Sequence, residues 1–323
     1  MRVNGIPVID VSPLESGSVA ALEKVAEELC LAARTVGFFY IENHGVGQDQ
    51  LDAVAEIARE FFDASEEQKN TVSISPFHRG WLSMGEAKMY GSAKADLKES
   101  FIWGLDVPAE DPDFLAGGRL LAPNRWPEFL PQMRETLMDY FDAAQACGTR
   151  LLRALATGLE IDPEHFLSDF DKPVSRGALI FYPSDPSGLR REEYGSAPHT
   201  DYGTMTLLYQ DQVGGLQIRG RDGAWVDATP IEGTYVVNIG DLLARWSNDR
   251  FESTAHRVLG SGGRARYSVG LFLDPNWDAT VCPVTEDGEA AKYGAVGCAE
   301  YIMDRYDEAF AYRTDRVGRK WDL

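Results

Sequence analysis

The chain has few cysteines and few histidines for its length. Of its 323 residues, 4 are cysteine and 5 are histidine. No two cysteines form a Cys-x-x-Cys pair, which excludes a framework of closely spaced disulfides. Cysteines that are this sparse and scattered are typical of proteins from a reducing compartment, so we expect a cytoplasmic protein.

Long apolar runs are also missing. The first residues, MRVNGIPVIDV, contain no apolar signal core. No stretch approaches the roughly 20 apolar residues that a membrane-spanning helix requires. We therefore expect no membrane partner.

Basic residues are scarce relative to acidic ones. Lysine and arginine total 31 against 51 aspartates and glutamates, which gives a formal net charge of −20. A chain this acidic repels phosphate backbones, so we expect no nucleic-acid partner. An anionic small molecule is still an acceptable substrate, because a few buried arginines can set the local field. A monomer is the simplest expectation for the oligomeric state.

Apolar residues recur at helical spacing in four segments of the chain. They predict helices over 19–35, 48–63, from the prolines at 127 and 131 to about 158, and roughly 297–312. Strands are predicted at 7–12 and 36–45, and residues 64–118 are mixed and loop-rich. These helices are predicted to buttress a separate β-rich part of the chain.

Short β-rich runs dominate from about residue 176. Examples are RGALIFYP, TMTLLYQ, TYVVNIG and RYSVGLFL, which are separated by glycine, aspartate, asparagine and proline. Such spacing predicts an antiparallel sandwich or barrel. The sequence thus predicts a β core that begins near residue 176.

Two histidines and an aspartate in this β-rich part have the composition of a metal site. His199 and Asp201 are separated by one residue, so on a strand they face the same side. His256 is the only other histidine of this region, and several strands separate it from Asp201. Two histidines and one carboxylate form the facial triad of non-haem Fe(II) oxygenases. A zinc hydrolase could use the same ligand types, and the ligands alone leave both open.

A second pair with the same spacing follows His256. Arg266 and Ser268 lie in RYSVGLFL, where an inward arginine is costly unless an anion pairs with it. A guanidinium can hold both oxygens of a carboxylate, and a neighbouring hydroxyl adds a further hydrogen bond. Together with a metal triad, this clamp describes a 2-oxo acid bound to iron.

Over nearly its whole length the sequence resembles the isopenicillin N synthase-like family of Fe(II)- and 2-oxoglutarate-dependent oxygenases. The segments that carry the resemblance are PVIDVS, GFFYIENHG, DLKESFIWG, FYPSDP, HTDYGTMTLLYQDQVGGLQI, VVNIGDLLARWSNDRFESTAHRV and RYS. The resemblance implies a mixed α/β (α+β) fold. Its core would be a double-stranded β-helix, a cupin-like jelly roll, buttressed by N-terminal and long central helices.

The family's functional residues map onto this sequence position by position. The resemblance implies that His199, Asp201 and His256 bind Fe(II). It implies that Arg266 and Ser268 hold the distal carboxylate of 2-oxoglutarate, with help from Tyr182. Candidates for the substrate pocket are Arg79, Trp81, Phe101, Trp103 and Phe272. The remaining histidines, at positions 44, 78 and 165, are expected to have packing or surface roles.

The resemblance also divides the chain into four segments. These are an N-terminal non-haem dioxygenase region at 1–120, a long supporting helix at 121–175, the Fe(II)/2-oxoglutarate dioxygenase core at 176–282, and a C-terminal helical extension at 283–323. The implied activity is oxidation of a C–H bond of a small-molecule substrate with O2, with release of succinate and CO2.

Three alternatives stay open at this point. The chain could be an isopenicillin N synthase-type oxidase, which uses Fe(II) and O2 without a 2-oxo acid and holds the substrate's own carboxylate with the arginine. It could be an ethylene-forming variant, which breaks up 2-oxoglutarate itself. A non-catalytic metal-binding sensor is disfavoured, because the triad and the arginine are intact.

Overall fold

The structure, a computed structural model, describes residues 1–16, 18–87, 95–118, 120–184, 194–260 and 263–310. Its helices are α1 (Val19–Thr35), α2 (Gln48–Asp63), α3 (Glu66–Asn70), α4 (Pro112–Leu115), α5 (Met133–Gly158), α6 (Asp241–Trp246) and α7 (Cys298–Ala309). Its first strands are β1 (Arg2–Val3), β2 (Ile6–Asp10), β3 (Phe38–Glu42), β4 (Gly80–Leu82), β5 (Glu99–Gly104), β6 (Arg176–Tyr182), β7 (Tyr194–His199) and β8 (Met205–Gln210). The remaining strands are β9 (Leu216–Arg219), β10 (Trp225–Asp227), β11 (Tyr235–Ile239), β12 (His256–Leu259), β13 (Arg266–Leu273), β14 (Thr280–Val281) and β15 (Val296–Gly297).

The helices follow the predicted apolar periodicity. Helices α1 and α2 have the predicted bounds. At the start of α1 the Ser18 hydroxyl accepts a hydrogen bond from the Ala21 amide at 3.4 Å, so a helix N-terminal donor is satisfied. Apolar residues of α1, among them Val25 and Leu29, are buried in the main core. Helix α5 begins at Met133, later than the two prolines at which the predicted helix opened, and ends at Gly158 as predicted.

Two sheets form the β core. The larger has nine strands in the order β1-β2-β3-β11-β8-β13-β6-β5-β4, and the smaller has four in the order β10-β9-β12-β7. Except for the parallel β2–β3 pair, all neighbours are antiparallel. This pairing agrees with the expected mixed α/β fold with a jelly-roll core.

The sheet extends further toward the N-terminus than the sequence predicted. Strands β4 and β5 lie in the region 64–118, which the sequence analysis described as loop-rich. Strand β5, with the sequence ESFIWG, pairs along its full length with β6. The apolar run of β5 extends the sheet, so a β core that starts near residue 176 was too narrow a prediction. Strands from the 1–120 segment therefore share one sheet with strands from the 176–282 segment.

Helix α5 packs closely against the strand that carries Arg266. A side chain at Gly148 would bring a Cβ atom within 2.9 Å of the Leu273 side chain on β13, so the glycine permits this approach. Leu137 and Leu151 of α5 are fully buried in the same core. The long helix thus supports the middle of the large sheet from one side, and the other side is free to form a cavity.

Candidate active site

A cavity is lined by residues of both sheets. Alternate residues of each strand face it, as the period of a strand requires. From the large sheet these include Ala178 and Ile180 of β6 and Leu208 of β8. Polar groups converge at only a few points of this apolar wall, which is typical of ligand-binding sites.

Two histidines meet at the rim of the small sheet. His199 ends β7 and His256 begins β12, and the two residues are direct partners in the antiparallel register. Their ring centroids are 4.3 Å apart. Asp201 follows β7, and its Oδ1 lies 3.8 Å from Nε2 of His199 and 3.7 Å from Nε2 of His256. One ligand atom from each side chain therefore lies within 4.8 Å of the other two.

Hydrogen bonds orient all three side chains toward a common point. Nδ1 of His199 lies 2.7 Å from the Ala197 carbonyl, and Nδ1 of His256 lies 3.3 Å from the Thr254 carbonyl. A proton on each Nδ1 leaves the Nε2 lone pair for a metal.

The aspartate is held in a similar way. Its Oδ2 accepts hydrogen bonds from Thr206 Oγ1 at 2.5 Å and from Asn238 Nδ2 at 2.8 Å. These two bonds occupy one carboxylate oxygen and fix the plane of the group. Oδ1 of Asp201 is thus left facing the imidazoles.

Electrostatics keeps His199 and Asp201 in the protonation states that a metal needs. Burial, followed by the neighbouring His256, lowers the pKa of the His199 imidazole to about 4. Burial alone would raise the pKa of Asp201, but the two imidazoles and the hydrogen bonds from Thr206 and Asn238 hold it below its usual range. At neutral pH the site therefore offers an uncharged His199 and an ionised carboxylate.

Arg266 occupies another point of the cavity wall and is fully buried. Its Nη1 lies 3.4 Å from Ser268 Oγ, and its Nη2 donates to Gln210 Oε1 at 3.2 Å. The guanidinium also lies 4.8 Å from the centroid of the Tyr182 ring. Its Nε has no hydrogen-bond partner, and among the described residues no carboxylate pairs with it. A buried guanidinium left uncompensated in this way favours an anionic ligand.

The strand register places Tyr182 beside Arg266. Tyr182 of β6 is the direct partner of Arg266 on β13. On the small sheet, a Cβ atom at Gly195 would lie 2.6 Å from the Tyr182 ring, so the glycine makes room for it. Tyr182, Arg266 and Ser268 all line the cavity.

Comparisons with known proteins identify the family to which this chain belongs. Residues 6–129 match the family model described as non-haem dioxygenase in morphine synthesis N-terminal, and residues 175–275 match that of the 2OG-Fe(II) oxygenase superfamily. A 2-oxoglutarate-Fe(II) type oxidoreductase of Emericella nidulans is 31% identical over 315 residues, which cover 94% of this chain and 90% of the relative. The chain belongs to the 2OG-Fe(II) oxygenase superfamily.

Other relatives of this oxygenase differ in the small molecule that their names mention. A homoarginine-6-hydroxylase of Arabidopsis thaliana is 32% identical, with 94% of each chain covered. The crystal structure of a full-length Neurospora crassa protein in complex with alpha-KG and thymine matches with a TM-score of 0.82 and 31% identity. That match covers 93% of this chain and 96% of the other. The oxygenase uses Fe(II), 2-oxoglutarate and O2 to oxidise a small-molecule substrate.

The donor set of this oxygenase fits both groups that its family uses. Two imidazole nitrogens and one carboxylate oxygen suit Fe(II) and leave coordination positions open for other ligands. The Arg266 guanidinium is buried, and among the described residues it has no compensating carboxylate and no partner for its Nε. It can therefore bind the carboxylate of a 2-oxo acid.

Of the five substrate-pocket candidates, only Phe272 lines the cavity. Alternation along β5 turns Ser100 and Ile102 toward the cavity, so Phe101 and Trp103 face the opposite side and pack in the main core. The expectation that these two aromatics form the pocket wall assigned the wrong face of the strand.

Trp81 and Arg79 also lie outside the cavity lining. Trp81 pairs with Phe101 in the sheet, and its indole nitrogen donates to Glu99 Oε2 at 2.8 Å. Arg79 is fully buried, and its Nη2 donates to the Leu120 carbonyl at 2.7 Å. Both residues hold loops and strands together.

Sequence reasoning missed several residues of the site. Asn238, which holds Asp201, lies within the apolar strand sequence YVVNI, and an amide inside such a run was a usable signal. Lys98 lines the cavity; its Nζ lies 3.0 Å from Asp96 Oδ2 and donates to Ser196 Oγ at 3.0 Å. Through Asp96, which also accepts from the Ala197 amide, this lysine anchors the strand that ends in His199.

His78, for which a packing role was expected, both packs and lines the cavity. Its ring contacts those of Tyr306 and Phe310, with centroids 4.4 and 4.8 Å away. The residues near the C-terminal end of α7 thus contribute to the wall. Among the residues that the structure describes, no helix combines the length and apolar character needed to cross a membrane.

Proposed function

We propose that this oxygenase binds Fe(II) through Nε2 of His199, Nε2 of His256 and Oδ1 of Asp201. The convergence of these three atoms within 4.8 Å, each aimed by a hydrogen bond on its far side, is the observation that carries the assignment. When bound, the iron supplies the redox chemistry that activates O2 and converts 2-oxoglutarate to succinate and CO2.

The protein residues do the positioning. Thr206 and Asn238 keep Asp201 from rotating, and the backbone carbonyls of residues 197 and 254 keep the imidazoles in the tautomer that ligates. Arg266, with Ser268 beside it, holds the distal carboxylate of 2-oxoglutarate by charge-assisted hydrogen bonds. Tyr182 lies against the Arg266 guanidinium and limits the positions that it can adopt.

The substrate is a small molecule that enters the same cavity, with Phe272 as part of its wall. The names of relatives mention thymine in one case and homoarginine in another, and these differ in charge and shape. Substrate choice must therefore depend on the residues of the individual cavity. A monomer in the cytoplasm completes the proposal; four free cysteines, three of them buried, are compatible with a reducing compartment.

An anaerobic titration tests the assignment. Fe(II) is added to the protein, then 2-oxoglutarate, while the visible charge-transfer band of a chelated 2-oxo acid is recorded. We expect a saturating band in the wild type and no Fe(II) binding in His199→Ala. Arg266→Met should raise the 2-oxoglutarate dissociation constant by at least ten-fold, the scale of a lost charge-assisted hydrogen bond of about 1.5–3 kcal/mol.

Arg250→Met serves as a matched control. Arg250 is also mostly buried and also has an unbonded Nε, but it pairs with Glu286 and does not line the cavity. This variant should titrate like the wild type. Iron binding without a band in the wild type would reject the 2-oxoglutarate site and favour an oxidase that clamps the substrate's own carboxylate.

A further inference from the structure

A second buried arginine, Arg176, lines the cavity at the opposite end of strand β6 from Tyr182. Only 3% of its surface is exposed. Residues 176 and 182 face the same side of the strand and are separated by roughly 20 Å, given about 3.3 Å per residue. The cavity therefore has one guanidinium at each end of the same strand pair.

The charge of Arg176 is already paired, unlike that of Arg266. Its Nη2 lies 2.8 Å from Oδ2 of Asp274, which is itself fully buried. Its Nη1 is also buried, and in the described part of the chain it has no hydrogen-bond partner. Arg176 thus retains an unused donor while its positive charge is compensated.

Aromatic side chains surround this donor. The Arg176 guanidinium lies 5.9 Å from the centroid of Phe272 and 5.2 Å from that of Tyr306, and both rings line the cavity. The Tyr306 hydroxyl makes no hydrogen bond with the residues that the structure describes. Burial raises the pKa of Tyr306 to about 12, so this hydroxyl keeps its proton and can donate.

The sheet register places Arg176 in line with the metal triad. Arg176 pairs with Phe272, and Phe272 pairs with Thr206 on the next strand. Thr206 is one of the two residues that hold Asp201. Neighbouring strands are about 4.8 Å apart, so this row spans about 10 Å. A molecule held at Arg176 would lie beside the triad, at the other end of the strands from Arg266.

Charge compensation decides which ligand suits Arg176. A second carboxylate beside the Arg176–Asp274 pair would leave a net negative charge buried in the cavity, which is costly. A neutral carbonyl oxygen accepts the hydrogen bonds without adding charge. Rings such as Phe272 and Tyr306 favour a planar partner that stacks or packs on their edges.

We propose that Arg176 and Tyr306 bind a neutral carbonyl oxygen of a planar, uncharged substrate, which packs against Phe272 beside the His199–Asp201–His256 triad. The inference rests on the proposed function, since it takes this cavity as the place where the substrate is oxidised. Arg266 then selects an anionic co-substrate, and Arg176 selects an uncharged carbonyl compound.

Benzamide and benzoate are suitable probes because they have nearly the same shape and differ in charge. The protein is loaded anaerobically with Fe(II) and saturating 2-oxoglutarate, so that Arg266 is occupied and no turnover takes place. Each probe is then titrated by calorimetry. We expect benzamide to bind at least ten-fold more tightly than benzoate.

Variants separate the contributions of the side chains. Arg176→Lys keeps a charge opposite Asp274 but loses the free Nη1, and should weaken benzamide binding at least five-fold. Tyr306→Phe should weaken it two-fold or more. In Asp274→Asn the Arg176 charge loses its partner, so the preference should shift toward benzoate. Arg250 is a mostly buried arginine outside the cavity, so the control variant Arg250→Lys should leave both probe affinities unchanged.

Tighter binding of benzoate than of benzamide by the wild type would overturn the charge argument. Wild-type benzamide affinity in both Arg176→Lys and Tyr306→Phe, or no benzamide binding to the wild type, would overturn the site. The charge-transfer band is recorded in the same samples. Its absence from the wild type would instead be a failure of the proposed function. If Asp274→Asn does not fold, Arg176→Lys and Tyr306→Phe still decide the outcome.

Discussion

Replacing each of the two cavity arginines by methionine should change the stability of the protein in different ways. Both side chains are buried, and methionine preserves much of their apolar volume. Arg176 pairs with Asp274 at 2.8 Å. Arg266 has no carboxylate partner among the described residues and relies on Gln210 and Ser268. The ligand-free protein should therefore tolerate the loss of Arg266 better than the loss of Arg176.

The magnitudes follow from these contacts. An uncompensated buried ion costs several kcal/mol. Hydrogen bonds from the Arg266 guanidinium to Gln210 and Ser268 return about 1.5–3 kcal/mol each at good geometry. Its position over Tyr182 adds up to about 2 kcal/mol. These gains are of the same order as the cost, so Arg266→Met should lower the free energy of unfolding much less than Arg176→Met does. Arg176→Met leaves Asp274 as an unpaired buried carboxylate and should cost about 3–5 kcal/mol.

Urea unfolding of the metal-free proteins measures both changes. Fe(II) is added together with 2-oxoglutarate, and 2-oxoglutarate is present at one hundred times its own dissociation constant. These ligands should raise the wild-type free energy of unfolding by at least about 2.7 kcal/mol. At the same ligand concentrations Arg266→Met should lose at least about half of the increment due to 2-oxoglutarate, because a ten-fold weaker affinity lowers it by about 1.3 kcal/mol, whereas Arg176→Met should keep it. Equal destabilisation by the two substitutions would refute the assignment of Arg266 as an uncompensated charge.

Three further predictions concern the rest of the structure. Thr206→Val removes one of the two hydrogen bonds to Asp201 Oδ2 and should weaken Fe(II) binding about 10–100-fold, measured by competition with a chelator. Thr234→Val also removes a hydroxyl, but that hydroxyl donates to the Ile231 carbonyl and lies outside the cavity. This control should leave Fe(II) binding unchanged, and equal effects of the two substitutions would contradict the anchoring role of Thr206. Gly148→Ala should lower the free energy of unfolding by about 1–3 kcal/mol, because the new Cβ would meet the Leu273 side chain. This steric cost should outweigh the better helix propensity of alanine. A stabilised variant would contradict the close packing of α5 on β13. At pH 8 a thiol reagent should modify only Cys282 in the folded protein, because the other three cysteines are buried and burial raises their pKa values. After unfolding it should modify all four. Rapid modification of a second thiol in the folded protein would contradict the burial of the other three.

The three residues of the proposed metal triad could be predicted from the sequence, because two of them lie close together in the chain and only the third comes from a distant segment. Alternation on a strand places His199 and Asp201 on one side without any knowledge of the fold. His256 was added because it is the only other histidine of the β-rich region, and the resemblance to a family supported that choice; nothing in its local sequence indicates that it pairs with His199 in the sheet. The roles of Asn238 and Thr206 became visible only in the structure, because they depend on where three separate strands meet.

The substrate wall could not be predicted, because the strand period does not say which face of a strand is the inner one. Strand β5 has apolar residues on both faces, Phe101 and Trp103 on one and Ile102 on the other. Both faces are buried, one under helices and one in the cavity, so hydrophobicity gives no preference. The larger side chains suggested a binding wall, and in the structure they fill the core.

The two arginines of the cavity differ in the residue that each faces across its strand pair. Residue 182, opposite Arg266, is a tyrosine, which offers a ring but no charge. Arg176 lies opposite Phe272, two residues before Asp274, and the carboxylate of Asp274 neutralises it. On the binding model proposed above, Asp274, the residue that follows β13, thus accounts for the difference in ligand charge between the two ends of the cavity. In a protein with a net charge of −20, we therefore expect the anionic co-substrate at Arg266, the cavity guanidinium that has no carboxylate partner among the described residues.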